Sequence, residues 1–354
     1  MRTVSRGSPA ILAAVLALAP ASVAQEQTPQ PAAGSAVASP RVHAPLAFQG
    51  GVGAGVGKHV VLVAGDEEYR SEEALPQLAR ILATQHGFRC TVLFSIDPET
   101  GLIDPDRRDS IPGLAALATA DLLVLFTRFR RLPDEDMRHV VDYVESGRPL
   151  IGIRTATHAF AYEANSQSPH ARWSWDSQVW PGGFGRQVLG ETWVSHHGKH
   201  GAESTRGVIP AAVKSHPVLR GVADVWGPTD VYGIRDLPPD ATVILEGAIL
   251  SGMQPEDPAV DDARNAPRMP IAWIRERARA PGPPQRVACS TIGSSQDLLS
   301  RDLRRLYVNL AYWCLGLEER IAAEPSAHVV GEFKPTPFGF GTFKRGVKPA
   351  DLAL

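Results

Sequence analysis

Short apolar runs alternate with amphipathic stretches through the first half of the chain. The runs cover residues 60–64, 90–94, 122–126 and 150–153. Each is rich in β-branched or aliphatic residues and has the length of one buried parallel strand. Ser71 and Gly87 are the cap and stop of one predicted helix, and Pro133 and Gly147 bound another. Strands that alternate with helices predict an α/β fold with a doubly wound, mostly parallel sheet and helices on both faces.

The pattern breaks after Phe160 and returns later. Residues 161–205 are rich in Gly, His and aromatic residues with little periodicity, which is typical of a functional loop or lid. Further strands are predicted at 242–245, 271–274 and 287–292. A last helix is predicted from apolar residues at helical spacing, namely Leu299, Leu303, Leu306, Leu310, Trp313 and Leu317.

Both ends of the chain differ from this central domain. Arg2, Arg6 and the apolar run 10–19 predict a signal peptide over 1–24, and therefore export to the periplasm or the exterior. Residues 25–57, rich in Pro, Ala and Gly, are expected to be a disordered linker. The α/β domain is expected over 58–320. Residues 321–354 are expected to be an extended C-terminal arm that packs on its own domain or contacts a second copy in a homo-oligomer.

Composition narrows the function classes. A hydrophobic content of 44% is enough for a large core, and a net charge of −2 argues against a nucleic-acid partner. No segment of the mature chain is long and apolar enough for a membrane span. Cys90, Cys289 and Cys314 each lie in apolar surroundings and are expected to be buried thiols.

The segment from Gly152 to His158 is the strongest candidate site. A strand followed by a tight turn presents one side chain above the carboxyl edge of the sheet, where thiol amidotransferases carry their nucleophile. Here that residue is Arg154. A guanidinium cannot act as a nucleophile, but it can hold a carboxylate or a carbonyl. His158 is a candidate general base, and Thr155 a hydroxyl donor; structural roles for Arg154 and His158 are the alternatives.

Three histidines form a second candidate cluster at His196, His197 and His200. They could bind a divalent transition metal such as zinc, or form a metal-free polar site. If the segment is extended, His196 and His197 face opposite ways, and one of them is structural.

Other candidate ligand-binding residues are Asp66 and Glu67 after the first strand, Trp193 and Tyr232. The two acidic residues could orient sugar hydroxyls or could only favour the start of the next helix. The tryptophan could stack on a sugar ring or anchor a loop.

Several of these segments together resemble the ThuA-like, or trehalose-utilisation, family. They are Lys58–Gly65, Gly152–Phe160, His196–His200, His216–Gly221, Thr229–Pro238 and Leu245–Met253, within residues 58–318. The resemblance implies a flavodoxin-like, class I glutamine amidotransferase-like fold and a link to carbohydrate metabolism. Family members often carry His where this chain has Arg154, so the role of that position does not transfer.

Two functions follow as expectations. The first is an exported enzyme, an isomerase, lyase or hydrolase, that acts on a carbohydrate or keto-sugar by acid–base chemistry. His158 and His196 or His197 would move protons while Arg154 held the substrate. The second is a non-catalytic sugar-binding or assembly protein on an enzyme-like fold. Thiol amidotransfer is excluded in either case, because no cysteine occupies the corner.

Overall fold

A computed structural model of the protein describes residues 45–353. Its central sheet has ten strands. The predicted signal peptide lies outside the described residues. The strands are β1 (Leu46–Phe48), β2 (His59–Gly65), β3 (Arg89–Phe94), β4 (Leu122–Thr127), β5 (Leu150–Ile153), β6 (Thr205–Val208), β7 (Trp226–Gly227), β8 (Ala241–Ile249), β9 (Met269–Arg277) and β10 (Gln285–Ser290). The α-helices are α1 (Ser71–His86), α2 (Asp134–Glu145) and α3 (Arg301–Cys314). The α/β prediction is confirmed.

The sheet is mixed, which corrects the prediction of a mostly parallel one. Its order is β1-β3-β2-β4-β5-β10-β9-β8-β6-β7. The four pairings from β3 to β10 are parallel, whereas the outer β1 pairing and all pairings from β10 to β7 are antiparallel. Strands β8 and β9 are long and joined through a hairpin, so no crossover helix is needed there.

The two faces of the sheet carry separate apolar layers. Val60 and Leu62 of β2 face one layer with α1 and α3, whereas Val61 and Val63 face the other with α2. This alternation follows from the two-residue period of a strand. Buried on both faces, the central strands are apolar throughout, which is why their short runs were recognisable in the sequence.

Part of the expected linker over 25–57 lies outside the described residues, and another part of it forms a strand. Leu46–Phe48 pairs antiparallel with β3, and Leu46 and Phe48 are buried, so the expected linker over 25–57 is wrong for these residues. An edge strand this short carries too little periodicity to stand out in a Pro- and Gly-rich segment.

The C-terminal arm packs along its own domain. Thr336 N donates to Glu73 Oε2 at 2.7 Å, Gly339 N to the carbonyl of Glu68 at 2.8 Å, and Ile103 N to that of Val347 at 2.8 Å. The expected homo-oligomer remains a prediction. Among residues 45–353, no helix has both the length and the apolar character needed to cross a bilayer.

Candidate functional site

Three backbone outliers mark one edge of the sheet. Arg70, Phe129 and Arg154 have φ values of 61°, 50° and 47°, the only non-glycine positive values among the described residues. Each lies a few residues past the carboxyl end of a strand, β2, β4 or β5, which are neighbours in the sheet. Such conformations cost about 1–3 kcal/mol each and concentrate at functional sites. They locate the crevice predicted for this edge.

Arg154 is a buried structural cation rather than a ligand contact. Its two terminal nitrogens donate to the carbonyls of Asp230 and Thr291, to the Tyr69 hydroxyl at 3.2 Å and to Asp230 Oδ1 at 2.9 Å. The guanidinium carbon lies 4.4 Å and 3.9 Å from the ring centres of Tyr69 and Tyr232. With every terminal N–H bonded and the side chain fully buried, the predicted catalytic role of Arg154 is wrong.

What Arg154 does is hold a carboxylate beneath two histidines. Nδ1 of His196 lies 2.7 Å from Asp230 Oδ2, and Nδ1 of His200 lies 3.1 Å from Oδ1. Burial alone would raise the pKa of Asp230, but Arg154 and the histidines hold it well below its usual range. Asp230 is therefore a buried anion at neutral pH. The hydrogen bond to Asp230 raises the pKa of His200 against the effect of its partial burial.

His197 does not join this cluster. Its Nε2 lies 2.8 Å from the carbonyl oxygen of Arg264, and His196 forms an isolated antiparallel bridge with Tyr232. The chain bends directly after the bridge at His196, and the two neighbouring imidazoles reach different partners, Asp230 and the carbonyl of Arg264. The prediction that His197 shares a site with His196 and His200, as a proton carrier or a metal ligand, is wrong for this reason.

Asp66 and Thr155 bind each other. Thr155 Oγ1 donates to Asp66 Oδ2 at 2.6 Å, and Oδ1 accepts the backbone N–H groups of Glu68, at 2.8 Å, and Tyr69. Both side chains are fully buried. Burial, and next the charge of Glu67, raises the pKa of Asp66. This pair links the loop after β2 to the corner after β5, so the expected contact of Asp66 and Thr155 with a ligand is wrong.

Glu67 is likewise committed to the fold. Its carboxylate accepts from Arg128 at 2.6 Å, Arg130 at 2.6 Å and Arg108 at 3.0 Å. Only 4% of its side chain is exposed. The prediction that Glu67 contacts a ligand is therefore wrong, and it is the next residue, Glu68, that reaches the crevice.

His158 lines a small pocket in the crevice. The pocket has a volume of about 40 Å³ and its lining residues are Glu68, Arg128, Phe129, His158, Trp193, His196 and Tyr232. Nδ1 of His158 lies 3.1 Å from Thr157 Oγ1, and Nε2 has no hydrogen-bond partner among the described residues. Burial, reinforced by Arg128 and Arg154, lowers the pKa of His158 well below its ordinary value. Trp193 and Tyr232 also line this pocket, and their contact with a ligand remains a prediction.

Two residues central to the site were missed as candidates. Asp230 is 30 residues from His200 and 76 from Arg154 in the chain, and no local pattern marks it as their partner. Phe129 lies against His158, with ring centres 4.9 Å apart and ring planes tilted by 54°, and it has a positive φ that its residue type does not predict.

The solved structures that are similar to this chain include two ThuA-like proteins and a glutamine amidotransferase. A ThuA-like protein from Parabacteroides merdae is 14% identical, covering 80% of this chain and 95% of its own, at a TM-score of 0.47. A ThuA-like protein from Bacteroides uniformis is 14% identical, covering 75% and 95%, at 0.44. A glutamine amidotransferase from Methylobacillus flagellatus is 11% identical, covering 79% and 99%, at 0.30.

All three structures are similar to this chain at 14% identity or less and at TM-scores below 0.5. No family profile and no curated protein sequence matches the chain.

Proposed function

We propose that this protein is an exported enzyme, on a flavodoxin-like frame, that acts on a carbohydrate or keto-sugar by acid–base chemistry. The observation that carries the proposal is the position of the His158 imidazole in a pocket that is lined by aromatic side chains, by Arg128 and Glu68, and by His196. The reaction would be an isomerisation, elimination or hydrolysis. Export rests on the N-terminal sequence alone.

His158 is the proposed proton acceptor. Burial and the charges of Arg128 and Arg154 lower the pKa of His158, so the imidazole has the unprotonated form that a general base requires, while the same shift makes it a weaker base. Thr157 bonds to Nδ1 and thereby orients the ring, which leaves Nε2 for the substrate. General base catalysis at such a position contributes about 10²–10⁴-fold to rate.

Arg128 takes the anchoring role that sequence analysis gave to Arg154. Its guanidinium lies 4.5 Å from the ring centre of Phe129 and lines the same pocket as His158. One terminal nitrogen bonds to Glu67, and no hydrogen bond of the described residues uses the other. That nitrogen could hold a carbonyl or the enediolate oxygen that forms when His158 removes an adjacent proton.

The pocket walls favour a sugar ring. The ring of Trp193 lies 5.7 Å from that of His158, and Phe129 lies on another side. Apolar C–H faces of a sugar pack well on such rings. Phe129 also lines a groove of about 310 Å³ with Trp175 and Tyr162, a volume within the range of ligand sites. The reacting end of the sugar substrate would occupy the small pocket, and the rest of the substrate would lie in this groove.

The test is turnover of a panel of keto-glycosides and simple glycosides by His158→Ala and Arg128→Met. We expect kcat/KM to fall about 10²–10⁴-fold for His158→Ala on the preferred substrate. His197→Ala is the matched control, since that imidazole faces away from the pocket, and should retain wild-type activity. Undiminished turnover by His158→Ala would remove the proposed base.

One observation favours the second candidate, a non-catalytic sugar-binding protein. The residue at the strand-to-turn corner is fully buried and both of its terminal nitrogens bond to other protein groups, so the position that carries the nucleophile in thiol amidotransferases presents no side chain to a substrate. Sugar binding without chemical change, lost in Trp193→Ala and kept in His158→Ala, would support this candidate over the enzyme.

A further inference from the structure

Two imidazoles and a carboxylate converge beside the pocket in a way that acid–base chemistry at His158 does not use. His196, His200 and Asp230 each offer a ligand atom, and these atoms all lie within 4.8 Å of one another. The two imidazole ring centres are 4.9 Å apart. We propose that these three side chains bind a divalent transition-metal ion of the zinc type.

The donor set matches that class of ion. Zinc and its neighbours take imidazole nitrogen together with a carboxylate oxygen, and catalytic sites combine three protein ligands with an open position. Glu68 Oε1 lies 3.3 Å from His200 Nε2, so a second carboxylate borders the cluster. Asp230 supplies a negative charge against a divalent ion, and Glu68 places a second carboxyl group beside it.

Arg154 and the burial of Asp230 give the cluster a supporting shell. Carboxylates that bind metals are themselves hydrogen-bonded, and Asp230 Oδ1 accepts from Arg154 at 2.9 Å. The nearby charge of Arg154 lowers the affinity of the cluster for a cation, but it fixes the orientation of the Asp230 carboxylate. This second-layer role explains why a corner that carries no nucleophile holds a fully buried arginine.

The cluster also has an entry path. The side chains of His196 and His200 are 37% and 34% exposed, whereas that of Asp230 is fully buried. A cation can therefore arrive from solvent through the imidazoles and meet the carboxylate at the base. The C-terminal arm borders the entry, since the ring of Phe338 lies 5.4 Å from that of His200.

The experiment is calorimetric titration of the full-length, chelator-treated protein with zinc chloride, with metal content measured after dialysis. We expect one equivalent for the wild type. His200→Ala should weaken binding at least about tenfold, because removing even an outer-shell partner costs about 10–100-fold. His197→Ala is the control and should bind as the wild type does. Zinc should raise the Tm of the wild type and of His197→Ala but not of His200→Ala.

Two results would overturn the proposal. One is a wild type that binds no stoichiometric zinc, cobalt or manganese ion; the other is an equal loss in His197→Ala and His200→Ala. Because His200 is partly exposed, its variant should fold, and circular dichroism checks this. Zinc is titrated in the absence of substrate, so the two proposals are tested separately. A wild type that binds no metal leaves the proposal for His158 intact, and an absence of turnover leaves the proposed metal site intact.

Discussion

Arg154 shows how a single residue can organise a site without touching its ligand. It lies in the left-handed region, fully buried, and ties the corner after β5 to Asp230, to Thr291 and to the Tyr69 hydroxyl. Asp230 in turn orients both histidines. The guanidinium thus acts as a positioning group, and the histidines are the groups exposed to solvent.

The Arg154–Asp230 pair supports a stability prediction. Breaking one partner of a buried pair leaves an uncompensated charge and costs about 3–5 kcal/mol. We expect Arg154→Met to lower the free energy of unfolding by that amount in urea titrations of chelator-treated protein. The double variant with Asp230→Asn should recover part of the loss, because no charge is then stranded. A loss below about 1 kcal/mol in the single variant would contradict the structural role of Arg154.

Among the elements, the C-terminal arm matters most to the site. Gly339 bonds to Glu68, and the ring of Phe338 lies 5.7 Å from that of Tyr69, so the arm braces the loop after β2. Arg70 adds a second bond by donating to the carbonyl of Gly339. The arm is therefore part of the crevice rim rather than a loose tail.

Because of these contacts, we expect two aromatic residues of the arm to differ in how much they contribute to stability. Phe338→Ala should cost about 1–2 kcal/mol of stability, as loss of a half-buried aromatic contact does, and should speed hydrogen exchange in residues 66–70. Phe340 is 58% exposed, and Phe340→Ala is the control, with an expected cost below about 1 kcal/mol. Equal effects of the two changes would argue against the brace.

At the scale of the whole molecule, the three thiols are buried in the core. Cys90 and Cys289 have no exposed surface, Cys314 has 4%, and all three are free. Burial raises the pKa of each thiol well above its ordinary value. Such thiols are inert as nucleophiles.

Thiol titration tests this arrangement. Ellman's reagent should react with none of the three cysteines in the native protein and with all three in denaturant. A reducing agent should leave Tm unchanged, because no bond is there to reduce. Rapid reaction of one thiol under native conditions would contradict the burial and reopen thiol chemistry.

Much of the fold was predictable because its signals are local. The β-branched runs became β2, β4 and β5, and Gly87, with φ of 81°, ends α1 as expected. The predicted ends of elements were wrong where they depend on tertiary contacts. Leu299, assigned to the apolar stripe of α3, precedes the helix and is 53% exposed. The antiparallel half of the sheet could not be inferred, because strand direction depends on pairing between distant segments.

Residue type and spacing were enough to predict the α/β layering, the crevice beside Arg154 and the absence of a thiol nucleophile there. Three other features could be known only from the folded chain: His200 rather than His197 joins His196, Asp230 completes the cluster, and Arg154 points inward. A bend after His196 directs the neighbouring imidazoles to different partners, and packing between segments 76 residues apart joins Arg154 to its carboxylate.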